Sequence, residues 1–305
     1  MLLVTGATSH TGKFFFKRLE LENYPGKIRC IIREGSKVGW LKNLKLNIEF
    51  FKGDLTNIES IRECFDDVDT VLNIAGIHYS IQIVELGLEK NVNWFICVHT
   101  TGIYSKFKSA SKEYKKIENL MSKYSEFTTI IRPTMIYGGK QDKNMWKLIS
   151  YLDNSYVFPI FGSGKNLFQP IFARDLGNAY YEVLLNKINV KGKNYDLSGG
   201  TEVTYNSILR TVSSLLSRKN LYIHIPIWFS LALLFLYKLL KKRSFSVSYE
   251  QILRMKEDKV FSHLNARRDF GFTPITFNEG INLEVEEYKK EKIMLTNLGN
   301  KYEKL

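Results

Sequence analysis

The sequence predicts an α/β fold, a doubly wound parallel sheet with a smaller C-terminal lobe, and three observations carry that prediction. Up to about residue 135, short apolar runs bounded by polar turns alternate with helical stretches. Runs this continuous read as strands covered on both faces, with helical crossovers between them. The chain opens on one of them, which breaks at a glycine turn, Gly6-x-x-Ser9-x-x-Gly12, and runs into a helical stretch. Beyond Arg132-Pro133 the alternation gives way to short segments punctuated by Gly138-Gly139, Gly162-Ser163-Gly164 and Gly199-Gly200. This places the regular sheet core at 1–135, an interleaved and dependent lobe at 136–290, and a polar C-terminal tail at 291–305.

The elements follow in order. Leu2–Thr5 is a strand, and Phe14, Phe15, Phe16 and Leu19 mark a helix from about Lys13 to Glu22. Strands follow at Lys27–Ile32 and, after a connecting helix, at Ile48–Lys52. Ile58–Phe65 is amphipathic, and Thr70–Ala75 is a buried strand. A helix at Ile81–Lys90 leads to a strand at Trp94–Val98, and one at about Glu113–Lys123 leads to Thr128–Arg132. In the second lobe, helices are expected at about Met145–Leu152 and Asp175–Leu185.

A strand that breaks at glycine and feeds a helix N-terminus makes an anion site, because free backbone N–H groups and the positive end of the helix dipole face the same point. Gly6 allows the tight turn and Gly12 the close packing of helix on strand, which makes the sheet Rossmann-type and the anion a dinucleotide pyrophosphate. Thr8, Ser9, His10 and Thr11 line that turn. An acidic residue about 20 positions past the last glycine would hold a ribose 2′-hydroxyl. Here the strand ends on Arg33, with Glu34 next to it, and a guanidinium suits a 2′-phosphate. The expected cofactor is therefore NADP, with NAD the second choice.

Composition narrows the field. The net charge is +13, which suits an anionic partner, but the lysines are scattered in ones and twos. With no dense basic stripe and no recognition module, nucleic acid is not expected. Cys30, Cys64 and Cys97 are far apart, without a CxxC pair, and read as reduced core thiols of a cytoplasmic protein. The sequence opens on its first strand, so no signal peptide is expected. The five histidines are too dispersed for a metal site. Leu221–Tyr237 carries no charged residue apart from a neutral-leaning His224, and Lys241-Lys242-Arg243 follow shortly after. Three readings stay open for 221–243: a helix buried in the small lobe, an interfacial helix on an anionic membrane, and a partner-binding surface.

Taken together the motifs resemble the short-chain dehydrogenase/reductase superfamily, in its extended or atypical NAD-dependent epimerase/dehydratase branch, over roughly residues 1–285. Beside the glycine turn they include Gly53-Asp54-Leu55-Thr56, Asn73-Ile74-Ala75-Gly76 and Thr100-Thr101-Gly102-Ile103-Tyr104. Further on come Arg132-Pro133-Thr134 through Gly138, Phe161 through Gly164, Gln169 through Leu176, and Asn194 through Gly199. The resemblance implies that Asp54 and Leu55 contact adenine, that Ala75 and Gly76 line the ribose and pyrophosphate channel, and that Pro133 lies near the nicotinamide. It also implies pairing into homodimers.

The departures matter as much. Ser9 stands where the family has glycine. The family's Tyr-x-x-x-Lys pair, with a Ser or Thr before it, shuttles the proton as hydride moves. Thr100 sits at the Ser/Thr position. The helix Ser111–Glu118 fits best with Lys115 as the lysine, near the nicotinamide ribose, which puts Ser111 where the tyrosine belongs. Tyr104, four residues before Lys108, and Tyr114, on the right helix, are the two replacements on offer. His99, beside Thr100, is either a local acid or a packed strand-end residue. The leading expectation is an NAD(P)-dependent oxidoreductase or epimerase/dehydratase-like enzyme. It would transfer hydride to or from a small carbonyl or hydroxyl compound, nucleotide sugars included, with Thr100 orienting the substrate oxygen. The alternative is a non-catalytic NADP sensor or assembly protein.

Overall fold

The computed structural model describes residues 1–240 and 248–302. The central sheet has seven parallel strands: β1 (Leu2–Thr5), β2 (Ile28–Ile32), β3 (Ile48–Lys52), β4 (Thr70–Asn73), β5 (Trp94–Val98), β6 (Thr128–Pro133) and a late strand, Asn194–Leu197. Their spatial order is β3-β2-β1-β4-β5-β6 and then the late strand, so the direction of winding reverses between β1 and β4. Open α/β sheets bind ligands at that crevice, outside the carboxyl ends of the strands.

The helices that matter for the site are α1 (His10–Leu21), α2 (Ser80–Glu89), α3 (Ser111–Met121), α4 (Met145–Asn154) and α5 (Ala173–Leu185). One face of the sheet is covered by α1 and α5, through Phe15, Phe16, Leu176 and Tyr180. The other face is covered by α2 and its neighbours, through Phe65, Ile83, Val84 and Met121. Cys30, Cys64 and Cys97 are buried and unpaired, and burial pushes each thiol up to about 12.

Several boundaries differ from the sequence reading. Helix α1 starts three residues early, because Ser9 caps it and its Oγ accepts from the Gly12 N–H at 3.1 Å. His10, Thr11 and Gly12 are therefore first-turn residues, not loop. Strand β4 ends at Asn73, which leaves Ala75 and Gly76 in the turn. The connecting helix before β3 is a single turn, Gly39–Lys42, and Ile58–Phe65 is a 3-10 helix.

The second lobe has its own core, in which Ile149, Leu152, Ile208, Leu209, Phe277 and Ile281 meet. It contains α6 (Tyr205–Leu215), α7 (Ile227–Leu240) and α8 (Tyr249–Leu253). The closing helix α9 runs from Phe277 to Tyr302, so residues 291–302, read as tail, continue a helix. The 221–237 span is not one helix. Leu221–Ile225 is a strand paired in parallel with Val157–Phe161, Pro226 breaks it, and α7 follows. Nor is α7 buried all round: Trp228 is 72% exposed and Phe235 63%. The basic run 241–243 lies outside the described residues. No helix among the described residues is long and apolar enough to cross a membrane.

Candidate cofactor and active site

At the crevice, β1 turns into α1 at Gly6, which has φ +69°. A Cβ on Gly6 would stand 2.9 Å from the Ala75 nitrogen, and one on Gly12 would stand 2.7 Å from the Ala7 carbonyl. Neither glycine can be replaced without moving backbone. The first N–H groups of α1 have no partner within the helix, and Ser9 satisfies one of them. The serine thus acts as a cap; its own proton remains free to donate.

Two cavities meet at Ser9 and Ile74. The larger, about 430 Å³, is lined among others by Gly6, Thr8, Arg33, Ser36, Asp54, Leu55 and Ala75. The smaller, about 330 Å³, is lined among others by His10, Thr11, Gly76, Pro133, Asp142, Asn144 and Tyr180. The structure thereby brings together every residue expected to hold the cofactor except Gly12, buried in the helix below the turn, and Lys115. A hydrogen bond from the Thr56 N–H at 2.9 Å, and to a lesser degree the charge of Arg33, hold the Asp54 carboxyl below its ordinary value. Arg33 itself is exposed and makes no ion pair among the described residues. Glu34 does not line the cavity.

The residues expected to carry catalysis are dispersed. Thr100 Oγ1 accepts from the Gly102 N–H at 3.0 Å, closing its own turn. Tyr104 donates to Asp196 at 3.0 Å and stacks on Phe261, and burial raises its phenol to about 12, the reverse of activation. Tyr114 packs against His78, with the Lys108 ammonium 4.7 Å from its ring centre. Lys115 is exposed on α3. None of the four lines either cavity.

A buried chain of hydrogen bonds occupies this edge of the sheet instead. The Ala75 N–H donates to Thr5 Oγ1 at 3.3 Å, and Thr5 donates to Asn73 Oδ1 at 2.7 Å. Asn73 Nδ2 donates to Ser80 Oγ at 3.2 Å, and Ser80 Oγ lies 3.0 Å from His99 Nε2. His99 Nδ1 lies 3.0 Å from Glu118, which Arg132 also grips. Burial works against the Glu118 charge, but His99 and Arg132 hold its carboxyl below the ordinary value. Burial likewise pulls His99 down, against the influence of Glu118. A carboxylate only accepts, so Nδ1–H donates to Glu118 and Nε2 accepts from Ser80. The Ser-His-Glu connectivity resembles a nucleophilic triad, yet Ser80 is fully buried and takes a hydrogen bond from Asn73. It is therefore a packed polar brace, and His99 is a strand-end residue within it.

Sequence reasoning did not single out Asp142, Tyr180 or Glu284. Asp142 Oδ1 and Oδ2 accept from the Asn144 and Met145 N–H groups at 2.7 and 2.8 Å, capping α4 at the rim of the smaller cavity. Tyr180 donates to Thr11 Oγ1 at 3.3 Å. His10 Nε2 donates to the Gly138 carbonyl at 2.6 Å, joining the phosphate turn to the second lobe. Glu284 is 1% exposed and faces the Gly138-Gly139 turn without a well-formed hydrogen bond. Burial, with Asp142 adding like charge, raises its carboxyl to about 9. The faint sequence signal for Glu284 is a lone acid on the apolar face of α9.

Comparison with known proteins agrees with this geometry. Residues 6–149 match a family model described as NAD(P)H-binding. Solved structures that share the fold include UDP-glucuronic acid 4-epimerase from Bacillus cereus in complex with UDP-glucuronic acid and NAD, with a TM-score of 0.72 and 16% identity over 95% of this chain and 99% of that one. The dTDP-glucose 4,6-dehydratase of Bacillus anthracis, in complex with NAD, gives 0.71 and 18%, over 95% and 96%. UDP-glucose 4-epimerase from Thermotoga maritima, with UDP-glucose, gives 0.68 and 16%, over 95% and 99%. No curated protein sequence matches the chain. The match bears out the NAD(P)-binding domain that the motifs imply, and the solved structures that share the fold include epimerases and a dehydratase, two of them in complex with NAD.

Proposed function

We propose that this chain is an NADP(H)-dependent oxidoreductase acting on a small carbonyl or hydroxyl compound. The observation that carries the reading is the pair of cavities joined at Ser9 and Ile74, one ending at Arg33, which makes no ion pair among the described residues, the other at Pro133 and Asn144. Arg33 would meet a 2′-phosphate, the α1 N-terminus the pyrophosphate, and Asp54 and Leu55 the adenine. Pro133 and Gly76 would flank the nicotinamide, which supplies hydride when bound. The smaller cavity, about 330 Å³, must hold the nicotinamide end as well as the substrate, which favours a small compound over a nucleotide sugar. The proton would come from a group other than a Tyr-x-x-x-Lys pair.

A specific observation favours a second reading, a cofactor-binding sensor: Lys115 faces solvent and Tyr104 is tied to Asp196. Calorimetric titration with NADPH and NADH, repeated on Arg33→Ala, tests the binding. The variant is expected to lose roughly 10- to 100-fold in NADPH affinity, the value of a charge-assisted hydrogen-bonded contact, and little for NADH. Binding of neither nucleotide by the unaltered chain would refute both readings. Oxidation of bound NADPH by a member of a carbonyl panel would select the enzyme, and binding without turnover the sensor.

A further inference from the structure

We infer that His10 is the proton donor to the substrate oxygen, with Nδ1 as the atom that gives the proton. The inference rests on the enzyme reading above and supplies the group that replaces the Tyr-x-x-x-Lys pair. Five titratable side chains line the smaller cavity beside Gly76 and Pro133: His10, His99, Asp142, Lys143 and Tyr180. Four of them are spent or unaimed. The His99 side chain is fully buried, and Ser80 and Glu118 occupy its two nitrogens. Tyr180 is fully buried too and spends its proton on Thr11 Oγ1. Both Asp142 oxygens accept backbone N–H groups at the start of α4, and a carboxylate in that role has no proton to give. Lys143 is exposed on the rim, where no hydrogen bond or ion pair among the described residues aims it.

His10 differs because its two nitrogens have different tasks. A carbonyl only accepts, so the 2.6 Å contact with Gly138 fixes the ring proton on Nε2. Nδ1 has no hydrogen-bond partner among the described residues. It carries a lone pair in the neutral ring and a proton in the imidazolium. The Gly138 contact and the Phe14 ring, 5.9 Å away between centres, hold the imidazole in the cavity wall. Burial, the largest influence, pulls its titration below the ordinary value, and Lys13 on α1 adds to that. The Gly138 carbonyl, Asp142 before α4 and Glu287 on α9 oppose it. In the reducing direction the carbonyl carbon takes hydride from the reduced nicotinamide, and the C=O pair moves onto oxygen. The Nδ1–H bond breaks as the O–H bond forms, and water then returns a proton to the neutral ring.

The test compares His10→Gln with the unaltered chain. A glutamine amide nitrogen can stand where Nε2 stands and donate to Gly138, so the variant keeps the contact and loses the titrating atom. Reduction of 4-nitrobenzaldehyde, methylglyoxal and diacetyl by NADPH is followed beside calorimetric NADPH titration. His10→Gln should still bind NADPH and lose roughly 10²–10⁴-fold in kcat, the usual worth of a positioned general acid. In the unaltered chain the rate should fall as pH rises through the titration of the ring, and in the variant that fall should vanish. Long-range ¹H–¹⁵N spectra of the imidazole give that titration independently and should show the neutral ring protonated at Nε2. Turnover that His10→Gln leaves unchanged, a neutral ring protonated at Nδ1, or loss of NADPH binding in a folded variant would overturn the inference and leave the enzyme reading standing. NADPH binding without turnover of any of these carbonyls by the unaltered chain would remove both together. If the variant fails to fold, the spectra and the pH profile of the unaltered chain decide.

Discussion

Two corners of the same sheet edge have the same plan, strand, turn, helix, and opposite fates. The β1–α1 corner is open: Gly6 and Gly12 let backbone approach backbone, the turn at Gly6, Thr8 and Ser9 lines a cavity with Arg33 and Asp54, and His10 and Thr11 at the start of α1 line its neighbour. The β5–α3 corner is closed on itself. Thr100 holds the Gly102 N–H, Ser111 Oγ donates to the Gly102 carbonyl at 2.9 Å, and the Lys108 ammonium packs 2.7 Å from where a Gly102 Cβ would sit. Glu257 then takes hydrogen bonds from Ser105, Lys106 and Phe107. Nucleotide binding needs backbone and space, which the first corner keeps. Proton transfer needs a titratable group aimed at the reacting atom, and the second corner spends its polar groups on one another.

The comparison is easiest to break at its shared brace. Glu118→Ala would strand the buried Arg132 and His99 and should cost about 3–5 kcal/mol in urea unfolding. A loss below 1 kcal/mol would mean that the polar chain is not a structural unit. Gly6→Ala comes next: a methyl at φ +69° against the Ala75 nitrogen should cost about 1–3 kcal/mol and abolish detectable NADPH binding. If Gly6→Ala binds as before, the open corner does not need close backbone approach.

Glu284 gives a pH-dependent test of the packing inside the second lobe, where α9 meets the Gly138-Gly139 turn. Its carboxyl titrates near 9 when folded and at 4.5 in an unperturbed chain. Between those values the unfolded state has given up a proton that the folded state still holds, so stability is full below 4.5 and is lost as pH rises toward 9. Glu284→Gln should flatten that decline, measured as melting temperature against pH. Smallest of all is Lys115→Ala, which should change stability by less than about 0.5 kcal/mol and leave NADPH affinity unchanged. A large loss of affinity there would return Lys115 to the cofactor site.

The fold was legible because its signal is local. Strands β1, β3 and β5 have the boundaries that their apolar runs predict; β1 and β5 are buried along their whole length, and β3, a half-buried edge strand, is marked by its Ile48, Phe50 and Phe51. The start of α1 was misplaced because a cap is a single side-chain contact, Ser9 Oγ to the Gly12 N–H, that periodicity does not register. The cofactor turn was legible for the same local reason. Where the expected catalytic side chains would lie was not, because spacing along α3 gives a lysine position without saying which face meets the crevice. The inward residues are Ser111, Glu118 and Met121, and Lys115 lies at the outer rim.

By itself, then, the sequence determined the parallel sheet, the glycine turn at its switch point and the set of side chains around it, all consequences of burial pattern and backbone sterics within a few residues. Only the tertiary structure decided which polar groups meet. Thr5, Asn73, Ser80, Glu118 and Arg132 come from five separate elements and His99 from the end of a sixth, and hydrogen bonding fixes each of their roles through a partner distant in sequence. The same holds for α7. An apolar stretch records that a helix will be covered, and only the packing of its neighbours leaves one side open.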